Sequence, residues 1–186
     1  MLRALMWLLS LGLLAWALWL WPEVPDRIPL HFGADGTPDR WGERSLLSWL
    51  TLPLVGLGTT VLLDGVTVWA VRHPESPAVN LPDKQALMDL PPQRRVPVLR
   101  VVARMAYALG VLCIAAFTLI QLGTWTAANG RDGSGWVLAG GLGVTAGSFV
   151  PLVWGLMRAS AEIKRQQRAM TGGGAHLGTE AEGAGA

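Results

Sequence analysis

Four apolar stretches, three of them about twenty residues long and free of charge, constrain this chain more than any other feature. At 1.5 Å per residue, about twenty helical residues cross roughly 30 Å of hydrocarbon. The chain is 51% hydrophobic and only 15% charged over 186 residues, where a soluble domain of this size carries about a quarter charged residues. The stretches predict an all-α integral membrane bundle of about four transmembrane helices, with spans at residues 4–21, 46–71, 101–125 and 136–157. They leave no room for a separate soluble domain.

The first span, Ala4–Trp21, is uncharged, with Arg3 before it and Pro22 after it. Ala15-Trp16-Ala17 loosely resembles a signal-peptidase site, but the apolar run continues through Leu18-Trp19-Leu20-Trp21, which fits a retained helix. Trp19 and Trp21 then fall in an outer aromatic belt. The second span carries Pro53, Gly56, Gly58 and one ionisable residue, Asp64. A carboxylate at the centre of an inserted helix costs about 2.5–3.5 kcal/mol, so it needs a partner. Arg104, entering the next and antiparallel helix at a matching depth, is the expected one. A carboxylate reaching the inner interface is the other structural reading, and a proton relay is the rival role for Asp64. In the fourth span Ala139, Gly143 and Gly147 recur every fourth residue and predict a smooth packing strip. Cys113, the lone cysteine, reads as a small packing residue.

Lysine and arginine set the orientation. Eleven of the fifteen fall on one side, with Arg3, the segment from Arg72 to Arg104 and the tail from Arg158 to Arg168. Only Arg27, Arg40, Arg44 and Arg131 fall on the other. Positive loops stay in the cytoplasm, so both termini are expected inside a bacterial cytoplasmic membrane and residues 22–45 outside. The formal charge of +2, with no basic stripe, gives no argument for nucleic acid as a partner. Residues 169–186, small and without apolar periodicity, read as a disordered tail in which His176 is solvated.

The first outside loop, PEVPDRIPLHFGADGTPDRWGERS, has the richest chemistry. Four prolines and three glycines imply a defined shape, with a tight turn at Ala34-Asp35-Gly36. It gathers Pro25, Asp26, Arg27, Pro29, His31, Phe32, Gly36, Asp39, Arg40 and Trp41, the candidate ligand-binding residues. Three readings fit. One is a structural cap in which carboxylates pair with Arg27 and Arg40. Another is a surface for an extracytoplasmic peptide, small ligand or lipid headgroup. The third is a membrane enzyme, transporter or metal site built on His31 with Asp35 or Asp39. A metal site normally takes three or four ligands at recognisable spacing, and neither HExxH, paired CxxC, GxSxG nor a Walker loop occurs. No metal, cofactor or catalytic residue is therefore expected.

The cytoplasmic segment supplies a second set: Asn80, Pro82, Lys84, Arg94 and Arg95. Asp83 can cap a short helix through Leu90, with Leu87, Met88 and Leu90 resting on the membrane. The segment is read as a basic loop against anionic headgroups, with docking of a cytoplasmic regulator as the alternative.

Pro25-Asp26-Arg27-Ile28-Pro29-x-His31-Phe32, followed by Gly36-x-Pro38-Asp39-Arg40-Trp41-Gly42, resembles the DUF1648 family of bacterial membrane proteins, whose pattern runs LPxxIPxHFxxxGxxDxWG after a first membrane helix. Asn80-Leu81-Pro82-Asp83-Lys84, Leu90-Pro91 and Arg94-Arg95 are similar to longer members. The family usually has asparagine where Gly33 stands. The domain also occurs in proteins of the SdpI immunity type. The resemblance thus implies a multi-pass protein, with immunity to a secreted toxin or envelope signalling as expectations, and it supplies no catalytic residues.

Overall fold

In a computed structural model, which describes residues 1–78, 81 and 83–183 and side chains through Met170, the chain is helical except for one small sheet. The order is α1 (Leu2–Leu20), a single 3-10 turn (Trp21–Glu23), β1 (Arg27–Phe32), β2 (Pro38–Glu43), α2 (Leu46–Arg72), α3 (Lys84–Met88), α4 (Pro92–Ala128) and α5 (Ser134–Gly183). Four helices are long and apolar enough to cross a membrane, ending at Met170 in the last case. Their outward faces carry large apolar side chains, among them Leu8, Leu47, Leu62, Leu142 and Val150, each at least 65% exposed. Faces of that kind are stable against lipid tails and not against water. The protein is a multi-pass membrane protein whose solvent is in large part the bilayer.

The chain forms two compact units. The first comprises residues 1–66 and 106–152. Within it α1 and α2 are antiparallel, with Trp49 meeting Ala17 near one end and Asp64 meeting Arg3 near the other. The buried face of α1 is Met6, Ser10, Leu13, Ala17 and Leu20, and that of α2 is Trp49, Pro53, Gly56, Thr60 and Asp64. Both follow the three-four spacing of a packed helix seam. The part of α4 in this unit reaches three neighbours. Gly110 lies under Met6 of α1, Ile114 and Phe117 lie against Gly56 of α2, and Ala116 and Ile120 meet Gly140 of α5.

Close approach of α4 and α5 depends on glycines other than the expected strip. A side chain at Gly140 would meet the Ala116 carbonyl at 2.8 Å, and one at Gly133 would meet the Gly123 carbonyl. Gly147 adds a looser contact with Leu112, whereas Gly143 faces open space and Ala139 is exposed. The packed series is thus 133, 140 and 147, a seven-residue repeat. A four-residue repeat drifts around a 3.6-residue helix, which carries Ala139 and Gly143 off the seam.

The second unit comprises residues 67–105 and 153–186. Its core is Leu81, Leu87, Leu90, Val98, Ala159 and Ile163, with Met88 and Met170 packed beside it. Leu87 and Leu90 are therefore buried within the protein, not laid on a membrane surface. Asp83 occupies the N-cap position of α3 but makes no side-chain capping bond. Pro92 opens α4, where its missing N–H costs nothing. Helix α5 runs to Gly183, and residues 184–186 lie outside the described ones.

Candidate functional site

The sequence places a hairpin where its loop was expected to have a fixed shape. The turn closes with Gly33 N donating to Thr37 O at 2.8 Å and Gly36 N to Gly33 O at 2.9 Å. Gly36 has φ +77°, and a side chain there would strike the Ser134 carbonyl at 2.7 Å. The hairpin tip is thus seated against the start of α5, which places the two connecting loops of this unit at one end. Asp35 Oδ1 accepts from the backbone N–H and hydroxyl of Thr37 at 3.0 and 2.8 Å. These bonds, the backbone one first, hold its carboxyl below the usual range. The stability they give is present above the unfolded-state pKa near 4 and is lost only as pH falls through the lower folded value.

The root of the hairpin is clamped by side chains from beyond it. Helix α1 ends in carbonyls without intrahelical donors. The Trp49 indole donates to Ala17 O at 2.8 Å, and the Arg44 guanidinium donates to Trp21 O at 3.0 Å and Val24 O at 2.9 Å. Arg44 also lies 4.2 Å over the Trp21 ring. Pro53 removes the amide that would bond the Trp49 carbonyl within α2. Gln121 of α4 supplies the replacement through Nε2 at 3.3 Å. Trp125 completes the packing, edge-on to Trp49 with centroids 6.2 Å apart. Arg44, Trp49 and Gln121 were not among the residues singled out in the sequence. A proline four residues after a tryptophan, facing a glutamine in a neighbouring span, is the signal that could have found them.

Pairing runs Arg27 with Glu43, Ile28 with Gly42, Pro29 with Trp41, His31 with Arg40 and Phe32 with Pro38. Leu30 and Asp39 are each one residue extra on their strand. Such bulges re-aim side chains, and here they bring His31 and Asp39 together. Nδ1–H of His31 donates to Asp39 Oδ1 at 2.6 Å, with both side chains more than half exposed. An ionised carboxylate only accepts, so Nδ1 is the donor in this contact. Among the described residues no three His, Cys, Asp or Glu side chains are grouped to hold a metal. Asp35 Oδ1 is bonded to Thr37 and makes no hydrogen bond to this pair.

Asp26, Arg27, Trp41, Gly42, Glu43 and Arg44 surround an open basin of about 800 Å³. The structural cap anticipated for Arg27 and Arg40 is not how the loop is held. Among the described residues no hydrogen bond or ion pair engages the side chains of Asp26, Arg27, Arg40, Trp41 or Glu43. Buried backbone carbonyls already fix the loop through Arg44 and Trp49, so these exposed groups remain in solvent. Pro29 is buried, Pro25 and Phe32 half-buried, and Gly36 serves the turn.

The remaining sequence candidates separate. Asp64 is held by Arg3, not Arg104: Nε and Nη2 of Arg3 donate to its two oxygens at 2.7 and 2.9 Å, and the Tyr107 hydroxyl donates to Oδ1 at 3.0 Å. Asp64 lies roughly 27 Å along α2 from Leu46. That is the far edge of the hydrocarbon, where Arg3 enters α1 in the antiparallel register; Arg104 is exposed. In the second unit Arg95 donates to the carbonyls of Leu90 and Met88 at 2.7 Å and of Pro74 at 3.2 Å, tying the connecting loop to α4. Arg94 reaches Gln166 O at 3.4 Å, and Lys84 starts α3. Asn80 and Pro82 lie outside the described residues.

The fold and site define a multi-pass membrane protein with a clamped β-hairpin between its first two spans. Residues 8–57, which take in that hairpin, match the family model of DUF1648, a domain of unknown function. Over 54 residues the chain is 50% identical to an uncharacterized protein of Archaeoglobus fulgidus, a match covering 26% of this chain and 28% of the relative. The chain therefore spans under a third of that relative's length. No solved structure matches it.

Proposed function

We propose that the protein is a non-enzymatic envelope protein that recognises an extracytoplasmic peptide or small ligand through its first hairpin, in a sensing or immunity role. The observation carrying this reading is the exposed, unengaged group of Trp41, Arg27, Asp26 and Glu43 on a hairpin clamped at root and tip. An aromatic flanked by charges of both signs, on backbone already ordered, binds with little entropy lost on ordering. The charge asymmetry of the loops supports an outward-facing hairpin and cytoplasmic termini. A cytoplasmic regulator would have Lys84 to meet, since Arg95 is occupied within the loop. Deletion should sensitise the host to a secreted peptide, and Trp41→Ala with Arg27→Ala should fail to restore tolerance at wild-type membrane levels. Restoration by the double variant would contradict the reading.

The 2.6 Å His31–Asp39 bond favours a second reading, metal-dependent chemistry or transport. Under the binding reading, purified protein carries far less than one zinc per chain and His31→Gln leaves folding and insertion intact. Near-stoichiometric zinc that His31→Gln releases would replace the first reading with the second.

A further inference from the structure

Apart from the open basin, a groove of about 360 Å³ runs between β1, the first turns of α2 and the last turns of α4. Leu30, Phe32, Leu52 and Ile120 give it apolar walls, and His31 and Gln121 also line it. Its volume lies within the roughly 300–1,000 Å³ of small-ligand sites. Ser48 to Leu52 lie about 3–9 Å along α2 from Leu46, and Ile120 to Thr124 about 6–12 Å from the end of α4. The groove is thus sunk into the spanning part of the bundle at the hairpin end. At that depth the apolar neighbour is a lipid chain of the adjoining leaflet.

The mouth carries the polar chemistry. His31 lines both this groove and a polar recess with Asp39 and Arg40, so the apolar and charged regions are continuous. Asp39 and Arg40 are exposed neighbours of opposite sign, and Arg40 has no partner among the described residues. Deeper in, Gln121 is 1% exposed. One of its two amide N–H groups goes to the Trp49 carbonyl, and the other is without an acceptor among the described residues. A buried donor of that kind is costly unless something accepts from it.

We propose that this groove holds one acyl chain of a zwitterionic phosphatidylethanolamine, with its phosphate at Arg40, its ammonium at Asp39 and an ester carbonyl accepting from Gln121. An acid and a base side by side match a headgroup carrying both signs. An anionic headgroup without an amine leaves Asp39 facing phosphate. The inference goes beyond the proposed function, because the groove shares no lining residue with the basin around Trp41, and it holds whichever side of the membrane the hairpin faces.

The test is native mass spectrometry of the full chain in mild detergent, with added phosphatidylethanolamine or phosphatidylglycerol. The expected result is one retained phosphatidylethanolamine per chain, preferred about ten-fold, the increment of one charge-assisted contact. Asp39→Asn should bring the preference close to one with little change in stability, since Asp39 and its partner His31 are both more than half exposed. Leu52→Trp, which fills the groove, should abolish retention. Equal retention of the two lipids by the wild type, or an unchanged preference in Asp39→Asn, would overturn the proposal whatever the folding of Leu52→Trp.

Discussion

Replacing Trp49 with alanine should lower unfolding stability in detergent by about 3–5 kcal/mol, the range for deleting a large buried aromatic. Trp49 is 1% exposed. It packs among Ala17, Leu20, Val24, Ile28 and Leu50 and caps the Ala17 carbonyl. Trp49→Phe keeps most of that volume and removes only the indole N–H, so it should cost about 1 kcal/mol. The ratio of the two losses, read from thermal or denaturant unfolding, separates packing from capping. The hairpin should loosen with the larger loss, seen as faster hydrogen exchange over residues 27–43. Equal losses would mean that the hydrogen bond and not the packing holds α1 to α2.

Asp64→Asn should have the next largest effect, about 1.5–3 kcal/mol, because hydrogen bonds to a charged group are worth more than neutral ones. The lower end is expected, since Arg3 stays more than half exposed at 57% and its charge is solvated when the carboxylate is lost. Asp64→Asn combined with Arg3→Gln should cost less than the sum of the single changes, whereas Asp64→Asn with Arg104→Gln should simply add. Coupling between Asp64 and Arg104, with none to Arg3, would contradict the observed pair. If Asp64→Asn leaves stability unchanged and abolishes function, a relay replaces the structural pair.

What the sequence made legible follows from which forces are local. Four helices long and apolar enough to cross a membrane were legible because burial in a bilayer demands a continuous apolar run, whereas the start of α4 at Pro92, ahead of the expected residue 101, was not. The tight turn at Asp35-Gly36 came through because it rests on adjacent residues, and the fixed shape of the loop followed from its prolines and glycines. Its β-hairpin form did not, since the cross-strand register and the bulges at Leu30 and Asp39 are decided by pairing at a distance. The Asp64 pair was misassigned for the same reason. Matching depths left Arg3 and Arg104 both available, and the helix register, set by contacts such as Trp49 with Ala17, chose between them. Gly140 and Gly143 are alike in composition, and only the partner helix distinguishes them. Among the loop charges, residue type could not tell Arg44, which ties down backbone, from Arg27 and Arg40, which have no side-chain partner among the described residues.

An extracytoplasmic recognition surface requires the hairpin to face away from the cytoplasm. Single cysteines at Thr37, exposed in the hairpin turn, and at Gln85, exposed in α3, test this in a Cys113→Ala background with a membrane-impermeant thiol reagent. Thr37→Cys should react in intact spheroplasts and Gln85→Cys only after lysis. Labelling of Gln85→Cys in intact spheroplasts, with Thr37→Cys protected until lysis, would place the hairpin in the cytoplasm and contradict an extracytoplasmic recognition surface.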